Sequence, residues 1–133
     1  MAKKASAKER FFAIPYNILQ TQNFIRLSGN AIKLLVDLGM QYNGSNNGDL
    51  CATWSTMKKR GWKSKSTLYH SIQELVHYGL IHKSSQGGRH KPTLHCLTWK
   101  NVNLCDNKLD IRPTNAPLAH WVVQKDDFNA GKE

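Results

Sequence analysis

Acidic residues are scarce in this chain: nine Asp and Glu stand against nineteen Lys and Arg, a net charge of +10 over 133 residues. Long apolar runs are absent too. No stretch approaches the roughly 20 residues that cross a bilayer. The opening MAKKASAKER has no apolar signal core. Membrane spanning and secretion are therefore not expected, and the cytoplasm is the expected compartment. Cys51, Cys96 and Cys105 are an odd number with no CxxC pair, which fits a reducing environment.

Signatures of catalysis are missing as well. There is no GxxxxGK[ST] phosphate loop, no GxSxG elbow and no paired-carboxylate arrangement. Gly87-Gly88 is too short and too far from a helix start to cradle a nucleotide. The six histidines form neither HxxxH nor HExxH, and His95 and Cys96, being adjacent, point to opposite faces of a strand. Asp126-Asp127 sits in a polar tail where solvation suffices. The expectation is a protein that is not an enzyme, with no metal site and no cofactor.

What is present suits a globular domain: 40% hydrophobic and 21% charged residues. A chain of this length buries roughly two-thirds of its unfolded surface without metal or disulfide. The positive charge is concentrated. Residues 51–100 hold Lys58, Lys59, Arg60, Lys63, Lys65, Lys83, Arg89, Lys91 and Lys100 against Glu74 alone. A solubility surface mixes signs; a one-sign block in a folded segment creates a potential that attracts polyanions.

Residues 1–10 read as a flexible basic arm, 11–100 as the domain and 101–133 as a partly docked C-terminal extension with a fraying tail from Gln124. Pro15 can open a short helix over Tyr16–Gln20, with Phe11, Phe12, Ile14 and Phe24 as core. Ser28 caps a helix over 29–42, on which Ala31, Leu35, Leu38 and Tyr42 share a face. The NGSNNG run, tolerant of positive φ, ends it. A short extended piece at Asp49–Ala52 precedes a helix over 54–60 capped by Thr53. Gly61 ends that helix in a left-handed conformation, and a tight turn leads to a third helix over 65–79 capped by Ser64.

On the third helix Leu68, Ile72, Leu75 and Val76 fall on one face, and Gly79 stops it. Leu80–Lys83 and Leu94–Trp99 read as strands of a hairpin whose loop, SSQGGRHKPT, carries Arg89, His90 and Lys91. Arg112–Pro117 should run extended and let Leu118, Trp121 and Val122 dock. Tryptophans can stack on bases, but Trp54, Trp99 and Trp121 lie beside aliphatic positions and read as core. Trp62, in the turn among basic residues, reads as a DNA contact.

Helix, tight turn, helix and basic hairpin together are the parts of a helix-turn-helix with a wing, whose second helix enters the major groove. Ser66, Thr67, Tyr69, His70 and Gln73 lie on or beside the face away from the core, with Glu74 near it, and Gln can pair with adenine edges. Lys58, Lys59, Arg60, Lys63 and Lys65 are placed for phosphates, and the three at a helix end also complement its dipole. Arg89, His90 and Lys91 would follow phosphates or enter a minor groove.

The pattern Ser-x-Ser-Thr-Leu-x-x-x-Ile-x-Glu-Leu-x-x-x-Gly-Leu-Ile, from Ser64 to Ile81, resembles the recognition helix and first wing strand of winged helix-turn-helix proteins. The resemblance is to those carried by phages, plasmids and integrated mobile elements, and it extends over residues 11–121, including NGSNNGDL and RPTNAPLAHW. It implies a mainly α fold with a small β-hairpin wing, base reading by residues within 62–73 and a wing at 86–91. Double-stranded DNA is then the expected partner, bound by a homodimer on a palindromic site, and transcriptional repression in a mobile element the expected role. The alternatives are a replication or plasmid-maintenance factor and a protein-interaction module on the same scaffold.

Overall fold

The computed structural model describes residues 9–128. Residues 1–8 of the expected basic arm and 129–133 of the tail lie outside the described residues. Five α-helices and one three-stranded antiparallel sheet make up the described chain: α1 (Tyr16–Leu19), α2 (Gln22–Ile25), α3 (Gly29–Gly39), β1 (Leu50–Cys51), α4 (Trp54–Met57), α5 (Lys65–His77), β2 (Ile81–Ser85) and β3 (Leu94–Leu97). No helix among the described residues is long and apolar enough to cross a membrane.

The two long helices form for the reasons legible in their caps. Ser28 is extended and its Oγ accepts from the Ala31 amide, and Ser64 does the same for Thr67. Ala31, Leu34, Leu35 and Leu38 of α3 and Leu68 and Leu75 of α5 are buried against each other. Each such aliphatic side chain contributes about 1.5–3 kcal/mol by leaving water. The short helix near the N-terminus is present, but Pro15 is its N-cap, and a second turn, α2, follows it, capped by the Thr21 hydroxyl. Phe12, Ile14 and Phe24 pack on the core as expected, whereas Phe11 is 88% exposed. The chain is extended there, so alternate side chains face outward.

Sheet order is β1–β3–β2. The expected extended piece is therefore a third strand, pairing Leu50 with His95 and Cys51 with Leu94. Central β3 is buried along its whole length because it is covered on both faces. His95 and Leu97 face the helices, and Leu94 and Cys96 face the C-terminal extension. Burial pushes the Cys96 thiol up to about 12, an inert position.

The extension is tied down. Asp110 N–H donates to Ser84 O, Ala119 N–H to Thr98 O and Thr114 N–H to Val102 O. Asn23 holds the carbonyls of Trp121 and Val123 and accepts from Lys125 N–H; Arg26 pairs with Asp127, and Phe128 N–H donates to the Tyr78 hydroxyl. The fraying expected from Gln124 does not hold for 124–128. Val122, expected to dock, is exposed, while Trp121 packs on the core. Gly79, at φ +81°, turns the chain out of α5 where a Cβ would lie 2.4 Å from His120 O, so both backbone geometry and space require glycine.

Candidate nucleic-acid interface

Two turns position the exposed face of α5. Gly61, at φ +93°, ends the helical segment Trp54–Arg60, whose last turn, Lys58–Arg60, is a 3₁₀ turn. Trp62 N–H then bonds Met57 O, folding the chain tightly into Ser64 and α5. Trp62 is not a surface residue: it is 6% exposed, and its Nε1 donates to Asp37 Oδ2 at 2.8 Å. The expected DNA contact is thus a core anchor. An indole between cations looks external in sequence, but a carboxylate within the apolar helix α3 draws its N–H inward.

Asp37 gathers three donors. Lys33 reaches Oδ2 at 2.8 Å and Arg60 reaches Oδ1 at 3.1 Å, with Trp62 as the third. Burial alone would raise the Asp37 carboxyl, but these donors outweigh it and hold the group below its ordinary value. Arg60 is therefore fixed to α3 on one side and surface-facing on the other.

Glu74 holds the opposite end of α5. It is buried, not near the outer face, and its two oxygens accept from Ser28 N–H at 2.7 Å and Ser28 Oγ at 2.8 Å. The one acidic residue of the basic block thus sits at the N-terminus of α3, where negative charge favours the helix dipole. Val76 is 40% exposed, outside the apolar face expected for it.

With both ends held, Ser66, Tyr69, His70 and Gln73 are exposed together on α5, and Thr67 is half-buried beside them. The side chains of Tyr69, His70 and Gln73 make no hydrogen bond to another described residue, which leaves their polar atoms available. Lys58, Lys59, Lys63 and Lys65 are exposed around the start of this helix.

At the hairpin, Gly88 N–H bonds Lys91 O at 2.9 Å, so Arg89 and His90 form a two-residue tip, exposed together with Lys91. β2 bulges between Lys83 and Ser85, and Gly87 N–H is held by Thr93 Oγ1. Among the described residues no group of three or more His, Cys, Asp or Glu is placed to hold a metal.

Two residues that sequence reasoning undervalued stand beside this face. Trp54 packs on the core yet lines an open cavity with Lys65, Ser66 and Tyr69, so it has an accessible side. His95 is buried on the strand behind; burial, then nearby Lys83 and His82, lower its pKa to about 4. The ring is neutral when folded and protonates near 6.5 when unfolded. Stability is therefore complete above about pH 6.5 and lost as pH falls toward 4, by about 2–3 kcal/mol. Urea unfolding across that range should show the loss, and His95→Phe should flatten it; an unchanged slope would assign it to other groups.

Comparison of the chain with family models, curated proteins and solved structures finds no match.

Proposed function

We propose that this protein is a winged helix-turn-helix DNA-binding protein, without catalytic activity, that reads a double-stranded site in the cytoplasm as a homodimer. The observation that carries the reading is the uncharged polar stripe of Ser66, His70 and Gln73 on α5, exposed and bordered by Lys58, Lys59, Lys63 and Lys65. Ser66 and Gln73 are seven residues apart, about 10 Å along a helix, comparable to three base-pair steps in a groove wide enough for a helix. Tyr69 and Thr67 flank the stripe and add to discrimination. The lysines, Arg60 with the part of its guanidinium that Asp37 leaves free, and Arg89, His90 and Lys91 at the hairpin tip supply backbone contacts. Repression of a mobile-element promoter is the role this arrangement serves.

Selection of bound sites from a random duplex pool, followed by gel shifts at several salt concentrations, tests this. Affinity should fall steeply with salt through counterion release. Gln73→Ala should lose about 1–3 kcal/mol of preference for the selected site. Arg89→Ala should weaken selected and random duplex by similar factors. No retention of duplex at low salt would leave the scaffold as a protein-interaction module.

A further inference from the structure

The cleft beside α5 adds to the duplex-reading face two residues, Trp54 and His95, that duplex reading does not use. A cavity of about 500 Å³ opens between the start of α4, one flank of α5 and β3, with Trp54, Tyr69, Ile72, Lys65 and His95 in its lining. A second hollow of about 540 Å³ shares Tyr69, Ile72 and His95 with it and continues along α5. Both volumes are in the range of small-molecule sites, about 300–1,000 Å³.

His95 is the residue the fold leaves unexplained. It is 5% exposed, and its Nδ1 has no hydrogen-bond partner among the described residues, although nearly all buried polar atoms are paired. A neutral imidazole offers one donor and one acceptor.

We propose that this cleft binds a single unpaired nucleotide, its base against Trp54 and Tyr69 with an edge hydrogen-bonded to His95, and its phosphate at Lys65 and the first turn of α5. Three features select that ligand class together. Two aromatic rings favour a flat π-system. A buried donor–acceptor ring favours a heteroatom-bearing edge over a hydrocarbon. A lysine at the N-terminus of a thirteen-residue helix favours an anion beside that plane. The inference rests on reading this face as a nucleic-acid surface. The nucleotide comes either from a base extruded from bound DNA or from a free mononucleotide.

Fluorescence anisotropy with a labelled duplex, intact or carrying one extrahelical thymidine, separates these sources when paired with quenching of tryptophan fluorescence by AMP and TMP. The expected result is at least tenfold tighter binding of the bulged duplex. His95→Phe should abolish that preference, leave intact-duplex affinity within twofold and not lower Tm, because it removes an unpartnered nitrogen. Tyr69→Ala, at an exposed ring, should shrink the bulged-to-intact ratio without touching the core. Quenching by AMP or TMP that His95→Phe removes, without any bulge preference, assigns the cleft to the free nucleotide. If such quenching persists while intact duplex is not retained, the cleft stands and the duplex reading fails. Equal affinity for bulged and intact duplex with no response to mononucleotides overturns the proposal, as does bulge preference undiminished in both variants.

Discussion

Replacing Asn47 by alanine is expected to destabilise the fold by about 4 kcal/mol, because several backbone groups lose their partner in a buried site at once. Asn47 is fully buried. Its Nδ2 donates to the carbonyls of Leu97, Lys100 and Asn101, and its Oδ1 accepts from Leu97 N–H at 2.7 Å. Its own N–H and C=O are taken by Asn103. One side chain thereby ends β3 and starts the extension across the sheet. Asn47→Asp should be nearly as damaging, since it keeps the shape but turns a donor among carbonyls into an acceptor. Urea unfolding midpoints of the two variants check this. A loss below about 1 kcal/mol, the value of a single ordinary hydrogen bond, would mean that the end of β3 finds other partners when Asn47 is gone.

Asp37→Ala is expected to cost about 3 kcal/mol, the scale for removing one partner of a buried ionic group. Its side chain is 3% exposed, and it joins Lys33, Arg60 and the Trp62 indole. Lys33 and Arg60 are half-exposed and regain water, which limits the loss; the Trp62 N–H cannot. The pH dependence has a definite sign. The folded pKa is depressed, so the contribution is present above the unfolded value near 4 and disappears as pH falls through the lower folded value. Wild type and Asp37→Ala should therefore converge in acid. Denaturation at neutral pH and near pH 3 measures both, and a gap that stayed constant would show the effect to be packing alone. On the proposed function, duplex affinity should fall with it, because the Gly61–Ser64 turn that aims α5 loses its tether.

These two residues also mark where sequence reading stops. Helices α3 and α5, with their Ser28 and Ser64 caps, were legible because capping and apolar periodicity act within a few residues of chain. So were the left-handed Gly61, the hairpin strands and the outward stripe of α5. Asn47 was read only as part of a turn-forming run, since its partners lie 50 or more residues away. Trp62 was misplaced for the same reason, the carboxylate that draws it inward lying on another helix, whereas Trp54 packs on the core as its aliphatic neighbours imply.

Isolated acids were the signal within reach. Glu74, alone in a basic block, and Asp37, alone on an apolar helix, each proved to be buried and bonded. The unpaired His95 had no sequence cue, because its burial depends on β1 pairing beside it and on the helices packed over that face of β3. The N-terminal aromatics show the reverse error: Phe11 was assigned to the core by composition, and an extended backbone turned it outward.

The sheet has one more consequence, for behaviour at high concentration. β1 is only two residues long, and β2 is bulged and has its far end bonded to Asp110 through Ser84 O and Gln86 N–H. Neither rim offers a straight run of free amides and carbonyls for another molecule to zip onto. Crowded copies of the chain, which their net positive charge also holds apart, should therefore resist fusing their sheets into fibrils.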